Sequence, residues 1–221
     1  MGKRDESRQR TTAAILLAAR AEIAEFGGVG LSMRRIAREV GLVSSAIYRY
    51  YPSREALLTA MIVESYGHLA RVLAEVEAEA EREGRNEGDA ASARWRGLAE
   101  AFRVWALANP HEFQLVYGTP VPGYVAPPET VPAATAVALP FLRAGAMGRV
   151  EGYDAPDLLA QMSAFAEVAE PAIVAAVLAE LAALVGMVSL ELDGHFVGTA
   201  DPAGPLFGAL IDRQVGTLGL R

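Results

Sequence analysis

The sequence predicts an all-α protein in which a three-helix N-terminal domain, residues 1–52, is joined by a long helix to a helical C-terminal domain, residues 53–221. Three observations predict it. Apolar residues recur every three or four positions through most of the chain, and strand-type alternation is missing. Glycines and prolines punctuate the periodic runs. Residues 31–58 hold two short apolar-faced segments around Gly41, followed by a serine, Ser53, that can cap another helix. That is the spacing of a helix-turn-helix.

The elements follow in order. The first helix runs from about Thr11 to Phe26, with Ile15, Ala19, Ile23 and Phe26 as its inner stripe, and Gly27 stops it. In the helix-turn-helix, Gly41 is the permissive residue between Ile36 and Val40 on one side and Leu42 and Ile47 on the other. A fourth helix opens at Ser53, whose hydroxyl can accept first-turn amide hydrogens, with Glu55 at the positive end of the helix dipole. It continues to about Glu83, joins the two domains, and would carry any movement between them. Near its end Glu75, Glu77, Glu79, Glu81 and Glu83 alternate with other residues, so they spiral around the axis as a solvated helix end and do not converge on a metal. Residues 84–89 read as a loop. Further helices are expected at about Ala90–Ala108, Pro110–Tyr117, Thr130–Met147, Ala155–Val168, Pro171–Leu192 and Asp201–Leu218. Residues 119–128 hold four of the twelve prolines and cannot be helical. They read equally as a surface connector or as a stiff flap over a cavity mouth.

The second segment of the helix-turn-helix carries Ser44, Ser45, Tyr48 and Arg49 opposite Leu42 and Ile47, short hydrogen-bonding groups and a cation that suit a helix lowered into a major groove. Any αα-hairpin has a polar outside, so charge has to decide. Residues 1–54 hold ten basic and five acidic residues, net +5; residues 55–221 hold ten and 22, net −12, and together they give the chain's −7. A phosphate-binding surface is local, and the positive charge is concentrated here.

On these residues the chain resembles the TetR family of one-component bacterial transcriptional regulators. The resemblance is carried by Ile15-Leu16 with Ala18-Ala19, Gly27, Leu31-Ser32-Met33-Arg34 with Ile36-Ala37, Gly41, Ile47-Tyr48, Tyr51 and Pro52-Ser53-Arg54-Glu55-Ala56-Leu57. It implies a cytoplasmic homodimeric repressor whose N-terminal domain reads a palindromic double-stranded operator and whose C-terminal domain dimerises and binds a small molecule. Carried over position by position, it implies that Arg34, Ser44, Ser45 and Arg49 meet bases while Tyr48, Tyr50 and Arg54 hold phosphates. Two positions depart from the family pattern: Val43 replaces a usual Ser or Thr, which leaves Ser44 to cap the reading helix, and Tyr50 stands where His is frequent. Residues 105–110, Phe113, Leu115, Gly118 and residues 186–192 resemble the C-terminal domain of an actinobacterial-type branch, although Leu184 and Val185 replace its tryptophan and histidine.

Composition fits an ordinary globular chain, 52% hydrophobic and 21% charged. Without cysteine there are no disulfides, thiolate metal sites or cysteine nucleophile, which fits a reducing cytoplasm. The most apolar stretch, Ala172 to Leu190, is interrupted by Glu180 and Gly186 and reads as a buried interface helix, with no membrane partner. His68, His111 and His195 are scattered, and no nucleophile elbow or phosphate loop is found, so no enzyme activity, metal or cofactor is expected. Two competing readings remain: a helical interaction protein whose basic head binds an acidic protein partner, and an enzyme using an acidic C-terminal cavity.

Two further expectations concern the C-terminal domain. Phe102, Trp105, Phe113, Tyr117, Phe141, Met162 and Phe165 are bulky side chains on several helices that can line a cavity, or can simply be core. Arg103 and Arg143 are the only cations near them in sequence, which favours a neutral, mainly apolar ligand. For dimerisation, Ala175, Ala176, Ala179, Ala182, Ala183 and Gly186 lie among larger apolar residues on the 171–192 helix, and Leu206, Leu210, Ile211, Val215 and Leu218 lie on the last one. Such faces suit a two-fold four-helix contact.

Overall fold

A computed structural model describes residues 2–83 and 87–220. The described residues form α1 (Lys3–Phe26), α2 (Met33–Glu39), α3 (Arg54–Glu83), α4 (Glu87–Ala108), α5 (Pro110–Tyr117), α6 (Val131–Gly145), α7 (Pro156–Met162), α8 (Pro171–Leu192) and α9 (Gly204–Thr217). Short 3₁₀ turns lie at Ile47–Arg49, Pro128–Thr130 and Ser163–Phe165, and no strand occurs among the described residues. The chain divides into two compact units, one of residues 1–65 with 111–131 and one of residues 66–110 with 132–221.

In the first unit, Ile15, Ala19 and Ile23 of α1, Ile36 and Ala37 of α2, Ile47, and Leu57, Leu58 and Met61 of α3 share one buried cluster. Phe26, expected in the inner stripe, is instead 45% exposed, and the Arg35 guanidinium lies 4.3 Å over its ring. Ser53 caps α3 as the sequence predicts, accepting the Ala56 N–H at 3.1 Å. The proline-rich segment 119–128 lies largely exposed, as a surface connector does, but is anchored at two side chains. Val121 and Tyr124 pack against the cluster, Tyr124 and Thr59 share a hydroxyl hydrogen bond of 2.9 Å, and a methyl on Gly28 would lie 2.7 Å from Val121 Cγ2. Gly28 therefore admits the strap to contact distance.

The second unit is built on α4, α8 and α9, with α7 against α8. Trp95 is fully buried, meets Phe141 edge-to-face at 5.3 Å, and donates its indole N–H to Gln214 Oε1 at 3.0 Å. Gln214 donates in turn to the Glu180 carbonyl at 2.8 Å, and Arg213 pairs with the Glu180 carboxylate. Arg103 holds Glu191 with two bonds of 2.8 and 2.6 Å and lies over Phe207. The α8 helix is long and apolar enough to cross a membrane by composition alone, yet Ile173 to Val177, Leu184 and Val188 are buried within the unit, as a core helix requires.

Several boundaries moved. The loop expected at 84–89 falls at 84–86 outside the described residues, while 87–89 open α4. The α1 helix begins eight residues earlier than apolar spacing predicts, at Lys3, where polar residues carry it and the Asp5 carboxylate accepts the Gly2 N–H. The helix expected at 155–168 stops at Met162, where Ser163 turns its hydroxyl back to the Ala160 carbonyl at 2.7 Å. The last helix starts at Gly204 with Pro205 in its first turn. Glu77, expected to be solvated, is mostly buried and accepts from Arg143 at 3.2 Å.

Candidate functional site

The turn between α1 and α2 is built from Glu22, which is 9% exposed. Its carboxylate accepts the Ser32 N–H at 3.1 Å and Arg35 Nε at 2.6 Å, while Arg35 also donates to the Gly30 carbonyl at 2.7 Å. Ser32 caps α2 by accepting the Arg35 N–H. At the other end Gly41 takes φ +71, which lets the Leu42 N–H reach the Ala37 carbonyl at 2.8 Å and the Gly41 N–H reach Arg38 at 3.1 Å. These paired bonds close α2 and turn the chain sharply into the next segment.

That segment is not the α-helix expected. Ala46 donates to Val43, Arg49 to Ala46 and Tyr50 to Ile47, an i to i+3 pattern that makes a turn followed by a 3₁₀ helix. Ser44 and Ser45 disfavour regular helix at its start, and Pro52 disfavours it at Tyr51, leaving too few residues between for an α-helix. The 3₁₀ piece has no side-chain cap, so Ser44 does not play the capping role assigned to it.

Ile47 is nevertheless fully buried, and Ser44, Ser45, Tyr48 and Arg49 are exposed, as is Arg34 on α2. This outer face offers two guanidinium forks and three hydroxyls to a partner. Tyr50 is half-buried, and Arg8 stands 5.4 Å over its ring and donates to the Arg49 carbonyl at 3.4 Å. Arg8 thus joins this face from α1, a placement that only the cluster of basic residues near the N-terminus hinted at. Arg54 also serves the fold: its Nε donates to Leu31 O at 3.1 Å and its Nη2 to Gly28 O at 2.7 Å and Val29 O at 3.0 Å, so that two of its three guanidinium nitrogens staple residues 28–31.

The seven aromatic and methionine side chains expected around a ligand are divided between the two units, Phe113 and Tyr117 in the first and the other five in the second. Phe113 is buried in the first unit against Tyr117 at 5.3 Å. In the second unit Phe102 is buried, Phe141 is core against Trp95, and Met162 and Phe165 are half-buried at the end of α7. Trp105 lines a groove between α3 and α4, where His68 meets it edge-to-face at 6.0 Å. Arg103 and Arg143 are both paired with carboxylates. His111 and His195 are exposed, and no metal-holding group of side chains occurs among the described residues. The sequence reading missed Trp95 and Gln214, whose pairing spans 119 positions and leaves no local signal.

A capped α2, a glycine turn and a polar outer face within a basic N-terminal segment, followed by a wholly helical second unit, define a helix-turn-helix transcriptional regulator with a separate helical domain. The pattern described as bacterial regulatory proteins of the tetR family matches residues 15–61, and that described as the tetracyclin repressor-like C-terminal domain matches residues 95–214. The chain belongs to the TetR family of transcriptional regulators. Relatives include the HTH-type transcriptional regulators Rv1816 of Mycobacterium tuberculosis and Mb1846 of Mycobacterium bovis, each 40% identical over 157 residues, 69% of this chain. The matched part spans 63% of those relatives' length. Among solved structures, SCO4313, which carries a regulatory designation, covers 97% of this chain and 100% of its own at 30% identity and TM-score 0.80. A protein of unknown function from Rhodococcus sp. RHA1 covers 95% of each chain at 25% identity and TM-score 0.67.

Proposed function

We propose that this regulator is a cytoplasmic homodimeric repressor that binds a palindromic operator and is released by a small, mainly apolar molecule. One observation carries the operator reading: Arg34, Ser44, Ser45, Tyr48 and Arg49 are exposed together on a backbone fixed by Glu22, Gly41 and Arg54. Arginine forks and hydroxyls are the groups that read base edges in a major groove. Tyr50 and Arg8 lie beside them and suit the backbone phosphates.

Two-fold assembly is supported by α8, where Leu178, Ala179, Ala182, Gly186 and Leu190 form an exposed small and apolar stripe, and by exposed Leu206 and Ala209 on α9. Paired by a two-fold axis, such stripes bury each other. Ligand control is supported by Arg103 and Arg143 of the second unit, which are already paired with Glu191 and Glu77, so that a neutral molecule is the better fit beside them.

The test uses fluorescence anisotropy with a palindromic duplex taken from the DNA flanking the protein's own gene, against a scrambled duplex. Preference of about a thousandfold or more is expected. Across a panel of operator variants, Arg49→Ala and Ser45→Ala should change which sequence is preferred. Equal affinity for palindrome and scramble in the unmodified protein would overturn the operator reading.

A further inference from the structure

The groove between α3 and α4 has a volume of about 460 Å³, within the range that holds a small organic molecule. His68 and Val72 line it from α3, and Glu100, Val104 and Trp105 from α4, with Asn109 at its end. Val104 is 54% exposed at the rim. Trp105 is 3% exposed, and its indole N–H, buried from solvent, has no hydrogen-bond partner. The contrast with Trp95 is direct, because there the same donor is met by Gln214. An indole N–H can only donate, and buried donors without an acceptor are rare in native proteins.

We infer that this groove is a binding site for a neutral organic molecule with an apolar body and one hydrogen-bond acceptor, a ketone, ester or amide carbonyl, received by Trp105 Nε1–H. Val72 and Val104 take the apolar part. No lysine or arginine lines the groove and Glu100 does, which selects against carboxylates and phosphates. The site deepens the ligand-control reading above and rests on it for its regulatory meaning.

The chain has two tryptophans and therefore two indole N–H signals in a ¹⁵N-labelled NMR spectrum, and Trp105→Phe assigns them by deletion. The probe is 2-heptanone, with heptanoate as its anionic counterpart. The ketone should shift the Trp105 signal saturably and leave the Trp95 signal in place, while heptanoate shifts neither. In Trp105→Phe, ketone binding followed at the valine methyls should weaken about tenfold, the loss of one hydrogen bond. Val104→Arg, on an exposed position that tolerates charge, should block the groove without unfolding the protein. No shift at Trp105 up to the solubility of the ketone, or undiminished binding in Val104→Arg, would overturn the assignment. Operator affinity measured alongside separates the two readings. A Trp105 shift with unchanged operator affinity keeps the groove and removes its regulatory meaning, whereas operator release by the ketone without that shift removes the groove and keeps ligand control.

Discussion

Arg54 shows how a single side chain changes meaning once its neighbours are known. Its place after Pro52-Ser53 suggests a phosphate contact, yet its donors meet the carbonyls of Gly28, Val29 and Leu31 across more than twenty residues of sequence. Charged hydrogen bonds of this kind contribute about 1.5–3 kcal/mol each where they are shielded, so Arg54→Ala should cost about 2–3 kcal/mol of stability in urea denaturation. Operator binding by that variant should keep its salt slope, whereas loss of a phosphate-binding arginine would lower the slope by about one. One residue on, Glu55 is held below the ordinary glutamate range, first by its own backbone N–H and then by the Ser53 hydroxyl. A carboxylate whose value falls on folding stabilises the protein above its unfolded value and loses that contribution as pH falls through its folded value. Glu55→Gln should therefore lower the urea midpoint near neutral pH, and the difference from the unmodified protein should close as pH falls below the ordinary glutamate range.

At the scale of elements, α8 carries the sharpest expectation. Ala179 and Gly186 are exposed within the second unit, so replacing both by arginine should leave the fold intact but place unpaired charge in the proposed two-fold contact. Sedimentation should then show monomers, and an unchanged dimer mass would move the contact elsewhere. Two helices opened by proline were fully legible: α5 and α8 begin and end where Pro110, Tyr117, Pro171 and Leu192 put them. The capped α2, its glycine exit and the Ser53 cap were legible for the same reason, since each signal lies within a few residues of its effect. The reading segment was legible as a face but not as a 3₁₀ turn, because two serines and a following proline compete with helix in a way spacing does not resolve. The burial of the aromatic set was legible but its neighbours were not, because periodicity tells buried from exposed and does not show that Phe141 meets Trp95 or Phe113 meets Tyr117.

At the scale of the whole molecule, residues 1–54 carry net +5 and the remainder net −12, so the chain's average of −7 conceals the sign of its N-terminal segment. If a ligand weakens operator binding, linkage requires the operator to weaken ligand binding by the same factor. Titrating 2-heptanone with and without saturating operator should return that equality, and equal ketone affinity in both conditions would exclude ligand control through it. The strap carries a different consequence, one for inheritance. Because Leu115, Val121 and Tyr124 complete a core whose other members precede residue 62, the head is not a contiguous module that recombination can cut out at one joint. A chimaera that fuses residues 1–65 to a relative's helical domain should melt at a lower temperature than one that also brings 111–131, with the difference reversed by restoring only the strap. Descent in this lineage would then favour exchange of binding specificity by substitution on the head's outer face over exchange of whole heads.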